Sequence, residues 1–214
     1  MSDLKIRALV LGMVQTNCYI IKNAITKEAI VVDPADDANR IYEYLNANDL
    51  VCKGILLTHG HFDHIMAAKE LADLTGVKIH AHEAEEKLLQ SPELNSSDRV
   101  GTAVSLTPDI LLKDQEDMML AGFKIKVIHT PGHTAGGACY YFVEQDVLMT
   151  GDTLFRENIG RYDLPTANGT HLLESIKNKL FILGDQVDVY PGHGIPSTMG
   201  HEKTHNPYLK SSML

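Results

Sequence analysis

The chain has 214 residues, of which 44% are apolar and 22% charged, and its formal net charge is −9. That composition is long and apolar enough for a sizeable core, so disorder is not expected. The acidic balance argues against nucleic acid and anionic membranes as partners, because both are held chiefly by lysine and arginine.

The first half reads as short strands. LKIRALVLG alternates Leu4, Ile6, Ala8 and Val10 with other residues, as a half-buried strand does. CYIIK and AIVVD are β-rich runs, the second stopped by Asp33-Pro34. Ile41, Tyr44 and Leu45 keep helical spacing between Asp37 and Ala47, and KGILLT is a continuous apolar run of strand length. It leads into THGHFDHI, Thr58 to Ile65, which packs three histidines and an aspartate into six positions. MAAKELADLTG then predicts a helix capped by Gly76. VKIHAH predicts a strand, EAEEKLLQ a short helix, and Ser91 to Pro108 a long loop of the kind that carries function. In the second half MML, FKIKVIHT, CYYFV, DVLMT and VDVYP predict strands, and HLLESIKNKLFIL a helix. No low-complexity or proline-rich linker divides the halves, so one domain over 1–214 is expected, with helices covering a β-rich repeat.

Cys18, Cys52 and Cys139 are odd in number, far apart and set in apolar surroundings. They read as small buried hydrophobes rather than disulfides or thiolate ligands, which fits a reducing, cytoplasmic setting. MSDLKIRALVLG lacks the pattern of a secretory signal, and no stretch approaches the length of a membrane span.

Four polar clusters follow strand-like runs: THGHFDH, TPGHT, TGDT and YPGHG. Each sets a histidine or aspartate in a glycine-containing turn, and strands paired side by side would gather these turns at one sheet edge. The gathering would hold His59, His61, Asp63, His64, His133, Asp152 and His193. Seven nitrogen and oxygen ligands exceed one tetrahedral ion and suit zinc, iron or manganese. Two ions, each with three ligands of its own and one carboxylate shared, fit the arithmetic. Closed structural zinc sites use four ligands and usually cysteine, so a catalytic pair able to activate water is the better reading. Elsewhere, His80 and His82 alternate on a strand, so one should face in and one out. His129 could support a ligand, while His171, His201 and His205 should be solvated. Asp33 could orient a ligand or cap its turn.

VVDPADD, THGHFDHI, HTPGHTAGG, TGDTLF, IGRYDLP, VYPGHG and GHEKTHNPYL, in that order, resemble the metallo-β-lactamase superfamily, and specifically its compact bacterial, glyoxalase II-like (hydroxyacylglutathione hydrolase-like) branch. The resemblance implies an αββα sandwich, an α/β fold of two mixed sheets flanked by helices, with two divalent metals, zinc before iron or manganese. It assigns His59, His61 and His133 to one metal, Asp63, His64 and His193 to the other, and Asp152 to both. Catalysis would centre on Asp63 and Asp152, through attack of a metal-bridging hydroxide on a small acyl thioester such as S-lactoylglutathione. Lactamases proper usually carry cysteine where Asp152 stands, which speaks against antibiotic hydrolysis. Glutathione-specific relatives continue into a helical domain; this chain stops shortly after NPYL, which leaves the thiol carrier open. Those enzymes use a lysine and a tyrosine for the peptide, and here Gly160-Arg161-Tyr162-Asp163 puts Arg161 and Tyr162 nearby as candidate substrate contacts, with pairing of Arg161 to Asp163 or Glu157 as the competing expectation. Persulfide dioxygenases with a single iron share the fold and are the alternative activity. A scaffold without turnover would have been expected to lose ligands, and a nuclease is disfavoured by the acidic balance.

Overall fold

The computed structural model describes residues 4–209. The reading of the N-terminus rests partly on residues 1–3, which lie outside that range, as do 210–214 after NPYL.

Six strands form one sheet in sequential order: β1 (Leu4–Leu11), β2 (Thr16–Asn23), β3 (Glu28–Val32), β4 (Val51–Leu56), β5 (Ile79–His82) and β6 (Ile110–Leu112). The first three are antiparallel, whereas β3 to β6 run parallel. Parallel strands need crossovers, and α1 (Ala38–Ala47), α2 (Phe62–Ile65), α3 (Ala68–Thr75) and α4 (Glu86–Gln90) lie within them. The second sheet comprises β7 (Asp117–Leu120), β8 (Phe123–His129), β9 (Ala138–Phe142), β10 (Val147–Gly151), β13 (Asp188–Pro191) and β14 (Ser197–Thr198), in the order β14-β13-β10-β9-β8-β7. Between β10 and β13 lie a two-stranded hairpin, β11 (Leu154–Phe155) with β12 (Asn158–Ile159), and α5 (Gly169–Ser175); α6 (Met199–His205) follows β14.

Period-two alternation in the strands builds three apolar layers. Ile30 and Val32 of β3 point between the sheets with Leu56, Phe123, Ile125, Tyr140 and Phe142. Ala29 and Val31, one residue out of phase, point the other way, against Ile41, Leu45 and Leu71 of the helices. Leu148 and Val189 do the same on the second sheet, against Leu172 and Ile176. The result is helix, sheet, sheet, helix, the αββα sandwich. Because the parallel strands are covered on both faces, His80 and His82 are both buried, at 5% and 4% exposure, against the expected alternation of in and out. Cys18 and Cys139 are buried and all three cysteines are free. No helix among the described residues is long and apolar enough to cross a membrane.

Most predicted elements are present, and those not foreseen are short. β11, β12 and β14 have two residues each, too few to carry a period. GHEKTH, for which the sequence predicts no element, lies in α6, whose Glu202 is buried and accepts hydrogen bonds from the Glu157 amide, Asn206 and Ser197. His201 is half-buried against Glu157, whereas His171 and His205 are exposed as expected.

The fold also explains how the ligand turns meet. β8 and β10 are both antiparallel to β9, and β10 is parallel to β13, so β8, β10 and β13 all end at the same edge. The fourth turn belongs to the other sheet, after β4, so the meeting place is an edge shared by both sheets rather than the edge of one. Bonds across the sandwich fix it there: the Ala138 amide donates to the Thr58 carbonyl at 2.8 Å, and the Tyr19 and Tyr140 hydroxyls donate to the carbonyls of Pro191 and Leu57 at 2.7 Å each.

Glu85 joins two of these turns. Its buried carboxylate accepts from the Gly60 amide at 2.8 Å and from the Gly136 amide at 2.7 Å. Gly136 must lack a side chain, since a Cβ there would sit 2.2 Å from the Glu85 nitrogen. Burial pushes the Glu85 carboxyl up to about 7, against the pull of these donors. Glu85→Ala leaves two buried N–H groups unpaired, a cost of about 3 kcal/mol. The metal-free variant should therefore melt about 6–12 °C below the parent. A melting temperature within 1 °C of the parent would show that the tie contributes nothing.

Candidate metal centre

The histidines of THGHFDHI are placed by an extended stretch that turns into α2. His59 and His61 lie in the turn, and His61 is the extended residue before the helix. Asp63 and His64 occupy α2 itself, so the four side chains diverge from one short segment.

Three groups of ligand atoms converge, within 4.8 Å in each group: His59, His61 and His133; Asp63, His64 and His193; and His59, His64 and Asp152. The structure thus brings together all seven residues singled out from the sequence. Nδ1 of His61 lies 2.9 Å from Nε2 of His133, and Nε2 of His193 lies 3.2 Å from Oδ2 of Asp63. Asp152 reaches imidazoles of both outer groups: His64 at 3.4 Å, and His133 and His193 at 3.5 Å each.

Hydrogen bonds to the far side of the rings set which nitrogen faces inward. Nδ1 of His64 donates to Oδ2 of Asp33 at 2.9 Å, so it is Nε2 that faces the centre, free to coordinate once a metal displaces its proton. The Thr58 hydroxyl donates to the same Asp33 oxygen at 2.6 Å, which leaves it able to accept from Nδ1 of His59 at 3.2 Å. His133 Nδ1 donates to the Arg161 carbonyl at 2.8 Å. Asp33 therefore orients a ligand, the first of the two roles open to it from sequence. Its support extends to one residue of each outer group. Gly151, at φ +47°, is what lets Thr58 in, since a Cβ there would fall 2.2 Å from the Thr58 hydroxyl.

The electrostatics divide the cluster. Burial holds His59, His61 and His133 below the ordinary imidazole range, His61 at about 3, so they are neutral donors. Burial also works against a charged His64, but Asp63, Asp152 and Asp33 outweigh it and hold it well above that range. His193 is likewise raised to about 9, with bonds to Asp152 and Asp63 overcoming its burial. Burial opposes ionisation of Asp63, yet His64, His193 and the Thr16 hydroxyl at 2.8 Å bring its carboxyl down to about 2. Asp152 is held well below the usual carboxylate range mainly by His64, against its burial.

The residues fit a pair of divalent metals. Nε2 of His59 and His64 and Oδ1 of Asp152 are buried without a hydrogen-bond partner, a cost that coordination removes. Imidazole with carboxylate is the donor set of zinc, iron and manganese.

A pocket of about 910 Å³ opens over the centre, at the upper end of the range for small-ligand sites. Val14, Phe62, Phe155, Ile159, Leu164 and Ile195 supply its apolar wall. Arg161 lines it, with its guanidinium forked onto Asp163 at 2.7 and 2.9 Å, the pairing that competed with substrate binding in the sequence. Tyr162 is not part of the wall: its ring packs over Gly169, where a Cβ would come within 2.9 Å of it. His129 supports no ligand ring; it bonds the Ala135 carbonyl and stacks on His82 at 4.0 Å. Sequence reasoning missed Glu85, Thr16, Arg99 and Arg156. None of them sits in a motif, and only the fold brings them to the centre or its pocket.

The Metallo-beta-lactamase superfamily profile matches residues 11–194. The hydroxyacylglutathione hydrolase GloC of Haemophilus influenzae is 36% identical over 200 residues, covering 92% of this chain and 94% of that protein. The crystal structure of the B3 metallo-beta-lactamase BLEG-1 is similar with a TM-score of 0.91 at 38% identity, over 96% of this chain and 99% of that one. A di-iron-bound form of TTHA1623 gives 0.83 at 32% identity, over 95% and 100%. Ligand set, four-layer sandwich and these matches agree that the chain belongs to the metallo-beta-lactamase superfamily.

Proposed function

We propose that the protein is a metal-dependent hydrolase of small acyl thioesters of the S-lactoylglutathione kind. The observation that carries this reading is Asp152, a carboxylate within 3.5 Å of imidazoles from both outer ligand groups. The hydroxyacylglutathione hydrolase of similar length supports it. His59, His61 and His133 would hold one ion, Asp63, His64 and His193 the other, with Asp152 between them; zinc is the first choice, iron or manganese the next. Two such ions, when bound, supply water activated at neutral pH and polarise a carbonyl oxygen.

The chain's own groups do the rest. Asp63 and Asp152 are held ionised, so they serve as anionic ligands and orient water rather than act as acids. Asp33 and the Arg161 carbonyl keep the Nδ1 protons of His64 and His133 in place, so neither ring can rotate or change tautomer at low cost. Thr16 fixes the Asp63 carboxylate, and the apolar wall excludes bulk water from the acyl group. Arg161 would have to exchange Asp163 for a substrate carboxylate to take part in recognition.

Purified protein loaded with zinc should carry two ions per chain and hydrolyse S-lactoylglutathione without oxygen. A chelator should abolish the activity and added metal restore it. One iron per chain, with oxygen consumed on glutathione persulfide and no thioester cleaved, would establish the dioxygenase instead. Faster turnover of a cephalosporin than of any thioester would favour the activity named for BLEG-1.

Asp152→Ala should lower kcat on the thioester about a thousandfold, as loss of a charge-stabilising group at the reacting centre does, and should reduce the metal content below two. A variant with two ions and parental kcat would remove Asp152 from the mechanism.

A further inference from the structure

Three arginines line the pocket: Arg99, Arg156 and Arg161. They differ in one respect. Arg161 is neutralised by its fork onto Asp163, whereas neither Arg99 nor Arg156 has a carboxylate in ion-pair distance among the described residues. The chain has 28 acidic residues against 19 basic ones, so two unpaired guanidiniums beside one pocket are not explained by a shortage of carboxylates. Glu157 adjoins Arg156 in sequence, but its carboxylate is taken by Nε2 of His201 at 2.8 Å.

Their positions are fixed from below. Arg99 lies in the helical turn Ser97–Val100 of the long loop, whose buried Ser97 accepts from the Val104 amide and donates its own amide to Oδ1 of Asn95. Arg156 sits in the turn of the β11–β12 hairpin, which the buried Glu202 ties down through the Glu157 amide at 2.8 Å. The two therefore come from separate, anchored segments of the wall. The remaining wall is largely apolar, and both carboxylates on it, Asp63 and Asp152, are committed to the ligand cluster.

We infer that Arg99 and Arg156 form an anion-binding rim, which selects substrates whose thiol-derived part carries carboxylate or phosphate groups. This rests on the thioester hydrolase reading for its chemistry, though not for its binding. A guanidinium presents a planar fork that matches either anion, and it keeps its charge at any physiological pH. With the acyl carbon at the metal centre, the apolar wall faces the body of the ligand and the arginines its charged end. Uncharged thioesters would then be poor substrates even with the metal centre intact.

The test uses the metal-loaded protein and S-hexylglutathione, a thioether that cannot be hydrolysed, measured by calorimetry beside its dimethyl ester and coenzyme A. The parent should bind the diacid at least tenfold more tightly than the diester, with an affinity that falls as salt rises. Arg99→Ala and Arg156→Ala should each weaken diacid binding about tenfold, the loss expected for one hydrogen-bonded charge, and should narrow the gap to the diester. Tighter binding of coenzyme A than of the diacid, lost in the same variants, would assign the rim to phosphate. Equal binding of diacid and diester, or variants that bind the diacid like the parent, would overturn the inference. Hydrolysis of S-lactoylglutathione by the same samples separates the two claims. Anion-dependent binding without turnover of any thioester refutes the hydrolase and upholds the rim, whereas turnover with indifferent binding does the reverse. Both arginines are exposed, so the alanine variants should fold, as circular dichroism would verify.

Discussion

One buried carboxylate, that of Asp33, governs the geometry on which the site depends. It accepts from Nδ1 of His64 and from the Thr58 amide and hydroxyl, and through that hydroxyl it reaches His59. A single anion thereby fixes the tautomer of rings in two different ligand groups. It can do so because β3 and β4 run parallel and end together: the Asp33 amide bonds the Leu56 carbonyl at 3.0 Å, which sets the end of β3 beside the start of the histidine segment. Asp33 adopts φ 51°, a left-handed backbone that aspartate tolerates better than most residues and that ends the strand there. The same residue thus stops a strand and supports a metal centre.

The cluster it supports is costly without cations. Five imidazoles and two carboxylates crowd the floor of one pocket, and several of their inward atoms have no partner. The fold bears that cost through ties placed away from the centre. Glu85 joins the turns around Gly60 and Gly136, and Asn17 and Tyr19 hold the Pro191 carbonyl just before His193. A site assembled from four strand ends in two sheets needs such ties, because each turn alone would be free to move. Metal binding to a preformed cluster of this kind would also stabilise the fold by mass action.

The sequence revealed much of this and for clear reasons. Histidines and aspartates in turns after apolar runs are legible because strand periodicity stops abruptly where they begin, and each lies near its strand end. The buried strands of AIVVD and KGILLT could be read because both faces are covered. That cover is also why His80 and His82 were misjudged: alternation predicts an exposed face only when one exists. Glu85, Arg99 and Arg156 were illegible because their importance depends on partners 25 to 51 residues away or on a pocket wall formed by distant segments. Tyr162, by contrast, was suggested by its neighbour Arg161 and by resemblance, yet local packing over Gly169 takes its ring from the pocket wall. Position in a chain locates ligands better than it locates the residues that recognise a substrate.

The central claim is that seven side chains form one centre for two metals with Asp152 shared between them. Anomalous X-ray scattering from crystals of the metal-loaded protein tests it directly. The account predicts two peaks, one among His59, His61 and His133 and the other among Asp63, His64 and His193, both within coordination distance of Asp152. A single peak, or two peaks of which only one touches Asp152, would contradict it.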